Sequence, residues 1–156
     1  MKLQALPILK GSPHIAQVVT TPRPYADALQ RLRDAGLRPT RQRLALAKLL
    51  LDAGDRHVTA EQLHGEALSA QIRVSLATIY NTLHQFTAAG LLREVVVAPG
   101  RSYFDTNTDD HHHFFFEGSG QLQDIPGDHV VVSNMPAPPD GTEIRRVDVI
   151  IRVGSN

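Results

Sequence analysis

Three consecutive histidines, His111 to His113, lie between two aspartates and three phenylalanines in the second half of the chain. Imidazole nitrogens are ligands for iron, manganese and zinc, and they also serve as axial ligands of haem iron. Successive side chains of a strand point to opposite faces, so an extended segment places His111 and His113 on one face and His112 on the other. The run indicates a transition-metal or haem site, and a solvated polar loop is the simpler alternative.

The composition restricts the chemistry of such a site. The chain has 156 residues and no cysteine, which excludes disulfides, thiolate metal sites, iron–sulfur clusters and cysteine nucleophiles. Residues 1–104 carry 13 Lys/Arg against 7 Asp/Glu, whereas residues 105–156 carry 3 against 9. A basic first half suits nucleic-acid phosphates, and an acidic, histidine-bearing second half suits cations. Without a signal-peptide pattern or a long apolar segment, we expect a cytoplasmic protein with no membrane partner.

Helical periodicity dominates the chain from Tyr25 to Gly90 and predicts four helices. Thr59 and Gln62 have the spacing of a capping box at the start of the third helix. Ser75 is a suitable N-cap for the fourth helix. Two helices joined by a tight connection are typical of a helix-turn-helix.

Beyond residue 90 the pattern becomes strand-like. Two apolar segments flank a Pro99–Gly100 turn and predict a β-hairpin, as in a winged helix. Further short strands are predicted at residues 114–116, 122–125, 130–132 and 144–153. We therefore predict an α+β fold. Residues 1–24 are predicted to form an extended arm and residues 25–106 an N-terminal winged helix-turn-helix domain. Residues 107–156 are predicted to form a small C-terminal α/β dimerisation domain that contains the sensing site.

The outer face of the fourth helix carries side chains suited to reading double-stranded DNA. Asn can pair with adenine, Thr and Tyr can contact a thymine methyl or a phosphate, and a serine at a helix N-terminus can hold a phosphate. Arginines before the second helix could anchor the DNA backbone. The alternative is an ordinary amphipathic helix, but the hairpin and the charge distribution favour DNA. The candidate contacts are Arg38, Arg41, Ser75, Thr78, Tyr80 and Asn81.

Four stretches of the sequence, residues 36–43, 57–63, 75–83 and 111–113, together resemble the ferric uptake regulator family in order and spacing. Within the family the chain is most similar to the iron response regulators, because the histidines lead into phenylalanines and no Cys-x-x-Cys zinc pair is present. The resemblance implies a homodimer that binds AT-rich, roughly palindromic promoter elements. It also implies that Tyr80 contacts DNA and that Arg38 reaches the minor groove.

The resemblance further implies a metal site in which His112 joins His57 and Asp105 and bridges the two domains. Such a bridge would fix the angle between the two recognition helices of a dimer. Because the family's next histidine ligand falls on Phe114, the phenylalanine run instead favours haem bound at His111 to His113, although the run could equally be dimer core. A haem- or iron-responsive regulator is the leading hypothesis, and direct response to Mn²⁺, Fe²⁺ or Zn²⁺ is the alternative.

A small metallohydrolase is the competing class of function. The chain has no His-Glu-x-x-His pattern that would supply a general base, and no serine or phosphate-loop motif accompanies the histidines. We therefore expect no enzymatic activity.

Overall fold

The structure is a computed structural model that describes residues 23–156, so the arm expected over residues 1–24 lies almost entirely outside the described residues. Over the described range, the helices and strands follow in the order α1 (Ala26–Asp34), α2 (Arg41–Leu51), β1 (His57–Val58), α3 (Ala60–Ser69), α4 (Leu76–Ala88), β2 (Arg93–Ala98), β3 (Arg101–Asp105), β4 (His111–Phe116), β5 (Gln121–Pro126), a 3-10 turn (Gly127–His129) and β6 (Ile150–Val153). No helix in this range has the length and apolar character needed to cross a membrane. The mixture of helices and sheets confirms the α+β class.

The starts of α3 and α4 are fixed by side-chain caps. The Thr59 hydroxyl accepts a hydrogen bond from the Gln62 amide at 3.1 Å, and the Gln62 side chain accepts one from the Thr59 amide at 2.9 Å. The hydroxyl of Ser75 accepts from the Thr78 amide at 3.1 Å. Both caps are therefore confirmed, and each satisfies amide groups that the first helical turn leaves without a partner.

The four helices share one apolar core that also receives the strand β3 through Phe104. Burial of each such side chain contributes roughly 1.5–3 kcal/mol, so this core holds α4 firmly against the other helices. Its largest fully buried members are Leu32, Leu46, Leu50, Leu63, Ile79, Leu83, Phe86 and Phe104.

The strands form two three-stranded sheets, and only β1 precedes α3 and α4 in the chain. The first has the strand order β1-β3-β2, with His57 and Arg93 both paired in register with Asp105. The second has the order β5-β4-β6, with β5 antiparallel and β6 parallel to β4. His113 is paired in register with Asp124. Both sheets therefore bring polar, ionisable residues to matching positions.

A second, smaller core joins the two sheets. Val95, Val97 and Tyr103 of the β2–β3 hairpin pack with Phe115 of β4. The Arg152 guanidinium lies over the Phe115 ring and donates a hydrogen bond to the Val97 carbonyl. The two sheets are thus packed against each other, and residues of one can reach residues of the other.

The region after β5 differs from the prediction. Residues 130–132 form no strand, Val131 is 87% exposed, and the last strand begins only at Ile150. Both edges of β4 are already occupied by β5 and β6, and the prolines at 136, 138 and 139 lack the amide hydrogen that a strand needs. The α/β prediction for residues 107–156 is also corrected, because this range contains strands and one 3-10 turn but no α-helix.

Candidate metal site and nucleic-acid interface

Five side chains from four strands converge at the junction of the two sheets. One ligand atom from each lies within 4.8 Å of all the others. Alternation along β4 directs two histidines to this side, and the first sheet contributes a histidine and an aspartate from adjacent strands. The five residues, which we call the junction cluster, are His57, Asp105, His111, His113 and Asp124.

The two carboxylates of the junction cluster face three imidazole nitrogens. Oδ2 of Asp105 lies 2.8 Å from Nε2 of His111, 3.0 Å from Nε2 of His113 and 3.2 Å from Nε2 of His57. Oδ1 of Asp124 lies 2.8 Å from Nε2 of His57 and about 3.5 Å from the other two nitrogens. Nε2 of His111 and Nε2 of His113 are only 3.0 Å apart. All three histidines therefore present the same ring nitrogen to one point.

Hydrogen bonds among these five residues do not satisfy every polar atom. Within the described part of the chain, Nε2 of His57 and Oδ1 of Asp124 are buried and lack a hydrogen bond of acceptable geometry, although the two atoms are close. Buried polar groups without partners are costly and call for an explanation such as a bound ion. Three imidazoles and two carboxylates form a nitrogen and oxygen donor set that suits Fe²⁺, Mn²⁺ or Zn²⁺. The residues therefore fit a divalent transition metal.

The second nitrogen of His111 is also held in the way that ligating histidines require. Nδ1 of His111 lies 2.7 Å from the carbonyl of Asp109, and because a carbonyl can only accept, Nδ1 carries the proton. The lone pair is then on Nε2, which faces the cluster. Arg93, which is only 5% exposed, donates to the same Asp109 carbonyl and to the His111 carbonyl and pairs with Asp148.

Two groups of the cluster, His57 and Asp105, have shifted pKa values. Burial alone would lower the pKa of His57, but the close carboxylates of Asp105 and Asp124 outweigh burial and raise this pKa. Burial alone would raise the pKa of Asp105, but the hydrogen bond with His113 and the nearby ring of His57 hold this pKa well below its usual range. In the absence of a cation, the protein therefore favours a proton on His57 opposite ionised Asp105.

His112 lies on the opposite face of β4 from the junction cluster. Its Nδ1 accepts a hydrogen bond from the Val149 amide at 3.3 Å. The grouping of His57 and Asp105 with His112 is therefore corrected: His111 and His113 lie beside them, because strand alternation turns His112 away. Asp124 was missed, and its signal was that it is the only acidic residue of β5, the strand paired with β4.

The phenylalanines do not form one aromatic surface. Phe115 is 4% exposed and lies between the guanidinium groups of Arg101 and Arg152, at 5.3 and 5.4 Å from its ring centre. Phe116 is on the other side of β4 and is 37% exposed. All three histidines, expected to hold haem or a second metal, are buried. A porphyrin could reach His111 or His113 only by displacing the two aspartates.

Most of the expected DNA contacts lie at the surface. Arg38 precedes α2 and Arg41 begins it, and both are exposed. Ser75, the N-cap of α4, is exposed, as are Tyr80 and Asn81 on the helix, and Thr78 is partly buried.

Arg43, another arginine at this surface, binds protein atoms. It donates two hydrogen bonds to the side-chain oxygen of Gln85, at 2.8 and 3.2 Å, and one to the Arg38 carbonyl at 2.8 Å. It thereby fixes the start of α2 relative to α4.

The chain is similar to known proteins in both sequence and fold. The ferric uptake regulator family model matches residues 34–149. A peroxide-responsive repressor, PerR, of Staphylococcus saprophyticus is 36% identical over 111 residues, which are 70% of this chain and 74% of that protein. PerR of Staphylococcus aureus is 36% identical over 100 residues, which are 64% of this chain and 66% of that protein.

Among solved structures, the ferric uptake regulator of Pseudomonas aeruginosa with manganese has a TM-score of 0.64 at 26% identity and covers 82% of this chain and 97% of its own. The regulator of Vibrio cholerae has a TM-score of 0.62 at 22% identity, covers 81% of this chain and 98% of its own, and shows likeness of fold alone. The chain belongs to the ferric uptake regulator family. Members of this family are transcription regulators that bind DNA as dimers, not enzymes.

Proposed function

We propose that the protein is a dimeric, metal-responsive transcription regulator in which a divalent cation in the junction cluster controls DNA affinity. The proposal rests on one observation, which is that the candidate metal ligands come from both sheets. His57 and Asp105 belong to the first sheet, which packs on the helical core through Phe104, whereas His111, His113 and Asp124 belong to the second sheet. A cation held by ligands from both sheets would couple the orientation of one sheet to that of the other sheet.

The residues of this chain would act together in a defined way. The residues of the junction cluster would hold a divalent cation, which would supply positive charge to the two carboxylates. His57 would lose its proton to become a ligand, and the ligands from both sheets would hold the sheets at one separation. In a dimer whose subunits join through residues 107–156, this separation would set the distance between the two copies of α4. The two half-sites of an operator lie a fixed distance apart, so the distance between the two copies of α4 would determine the affinity of the dimer for DNA.

The DNA-reading part of the proposal rests on a winged helix over residues 25–106, with α4 as the recognition helix. Tyr80 and Asn81 are exposed on it and could read bases, and an asparagine pairs well with adenine. Arg38, Arg41 and the N-terminus of α4 with Ser75 and Thr78 would contact phosphates. These contacts favour an AT-containing, roughly palindromic site.

The identity of the cation follows from the donor set and the relatives. Nitrogen and oxygen ligands accept Mn²⁺, Fe²⁺ and Zn²⁺, and the Pseudomonas relative was solved with manganese. The two staphylococcal relatives are named as peroxide-responsive. We therefore also propose that hydrogen peroxide lowers the DNA affinity of the Fe²⁺ form of the protein. The Mn²⁺ form is the control and should not respond.

A haem-responsive regulator of the iron response type is the second candidate, and one observation favours it. A cavity of about 460 Å³ lies beside His112. Its lining includes the cationic Arg145 and Arg146 and the apolar Val130, Val132 and Met135, which suit a flat apolar ligand with carboxylates, but also the acidic Asp109 and Asp110, which do not. However, Nδ1 of His112 accepts from the Val149 amide, which places the proton on Nε2 and opposes iron ligation there. A saturable Soret band lost in His112→Ala and kept in His113→Ala would favour this candidate.

The experiment that tests the main proposal selects duplexes from a random DNA library with the metal-free and the Mn²⁺-loaded protein. We expect enrichment of two-fold symmetric sites only with metal, and an affinity at least about tenfold higher for the loaded protein, a coupling in the usual range for allosteric proteins. Asp124→Asn should lose the metal response. The matched control is Asp128→Asn, which removes an exposed carboxylate just beyond β5 and should keep the metal response. Metal binding without any change in DNA affinity would contradict the proposal.

A further inference from the structure

The side chain of Tyr80 is held by residues on two sides. Its hydroxyl donates a hydrogen bond to Oε1 of Glu61 at 2.7 Å. Its ring stacks on His84, one turn further along α4, with the ring centres 6.4 Å apart and the planes inclined by 23°. The His84 ring packs edge-on against Phe104 of β3, with the ring centres 5.6 Å apart. Tyr80 is exposed, yet its ring and hydroxyl have fixed directions.

The hydrogen bond to Glu61 decides what the hydroxyl can do next. A phenolic hydroxyl has one proton to donate, and here Glu61 accepts it. The hydrogen bond raises the pKa of Tyr80 and lowers that of Glu61, so the donor remains tyrosine and the acceptor remains carboxylate. The hydroxyl oxygen of Tyr80 is left with acceptor capacity alone.

A hydroxyl that can only accept hydrogen bonds can contact some bases but not phosphates. Phosphate oxygens are only acceptors, so they cannot bond to a hydroxyl whose proton is already used, and the Glu61 carboxylate repels them. In the major groove, the amino groups of adenine and cytosine are donors. A hydroxyl oxygen can accept from either of them.

Resting on the proposed function as a DNA reader, we infer that Glu61 is a specificity-determining residue that converts Tyr80 from a phosphate contact into a reader of base amino groups. Glu61 is a positioning residue: it acts through Tyr80 and is in the first turn of α3, outside the recognition helix. Base contacts carry sequence information and phosphate contacts do not. Loss of Glu61 should therefore lower specificity more than affinity.

The test compares affinities of the Mn²⁺-loaded protein for a duplex enriched from a random library and for a mixed-sequence duplex of equal length. In Glu61→Ala the hydroxyl regains its proton for phosphates, so the ratio of the two affinities should fall about tenfold, the cost of one lost base contact. Tyr80→Phe should reduce the ratio similarly, and the double variant should reduce it no further. Glu61→Gln should retain most of the ratio, because the amide oxygen still accepts from Tyr80.

A charge-matched control separates hydrogen bonding from simple repulsion of DNA. Asp34→Asn removes one negative charge from α1, where the carboxylate accepts from Gln30, and should change both affinities by the same factor. An unchanged ratio in Glu61→Ala would overturn the inference, and so would equal losses in Glu61→Ala and Glu61→Gln. Failure of the wild-type protein to prefer any DNA sequence would overturn the proposed function and the inference together. The ¹³Cζ resonance of Tyr80 should show a lower pKa in Glu61→Ala, which verifies that the hydrogen bond is lost, whereas the affinity ratio is the readout that a merely structural role would leave unchanged.

Discussion

The ring nitrogen Nε2 of His57 lies 2.8 Å from Oδ1 of Asp124, although the two residues are 67 positions apart and belong to different sheets. Asp105, paired in register with His57, approaches the same nitrogen from the first sheet at 3.2 Å. His57 is therefore one of the residues at which the two sheets meet. Protonation of His57, or its replacement, should therefore change the contact between the two sheets.

The metal-free protein should lose stability as the pH rises above 6.5. The pKa of His57 in the fold lies above its usual value of 6.5, so the protonated ring stabilises the fold below that value, and the contribution is lost as the pH rises through the raised pKa. Asp105 has the opposite sign, because its lowered pKa contributes stability above 3.8 that is lost only in acid. Urea unfolding of metal-free protein at several pH values measures the effect. His57→Asn should flatten the slope above pH 6.5, and an unaltered slope would assign it to other groups.

Metal affinity should show the reverse dependence. A cation has to displace the proton of His57, so the apparent affinity for Mn²⁺ should rise over the same pH range in which the metal-free fold weakens. Calorimetric titrations in buffers of different ionisation enthalpy count the protons released. We expect proton release that decreases as the pH rises and is smaller in His57→Asn. Binding without proton release near pH 6.5 would show that the metal does not displace a proton from His57.

Replacement of Arg93 by methionine should destabilise the protein by about 2–4 kcal/mol, because buried carbonyl groups lose a charged donor and an ion pair is broken. Arg93 bonds to the carbonyls of Asp109 and His111 and pairs with Asp148. Asp148→Asn is the control. Its side chain is 45% exposed, so its loss should cost under about 1 kcal/mol. Equal losses in chemical denaturation would show that the ion pair, and not the carbonyl contacts, is what matters.

Two adjacent phenylalanines should respond differently to truncation. Phe115→Ala removes a buried ring from the core between the two sheets and should cost about 3–5 kcal/mol. Phe116→Ala affects a ring that is 37% exposed and should cost less than about 1 kcal/mol. Thermal unfolding of both variants measures the difference. A small effect of Phe115→Ala would mean that the sheets are held together by other contacts.

Local signals made the helical part of the fold predictable. The capping box of Thr59 and Gln62 and the cap at Ser75 depend on residues three positions apart, so sequence alone locates the starts of α3 and α4. The β2–β3 hairpin was similarly marked by its Pro99–Gly100 turn. In contrast, β1 has only two residues, too few for any periodicity, and it exists because it pairs with β3.

The candidate site was predictable only in part. His57 and Asp105 were expected to lie together, and alternation along β4 separates His112 from its neighbours, but which face meets His57 depends on how the two sheets pack. The role of Asp124 depends on the register of β5 against β4, a long-range property that a single sequence does not encode locally. The burial of Phe115 likewise depends on the contact between the two sheets.

The most direct test of the account is a Mn²⁺ titration of the metal-free protein and of two single variants, His113→Ala and His112→Ala, followed by isothermal calorimetry. These neighbouring histidines lie on opposite faces of β4, and only His113 belongs to the junction cluster. We predict one tight equivalent of metal in the wild-type protein and in His112→Ala. In His113→Ala the affinity should be lower by about 100-fold or more, since even outer partners of ligands cost about 10–100-fold. Loss of the tight equivalent in His112→Ala with its retention in His113→Ala would contradict the account.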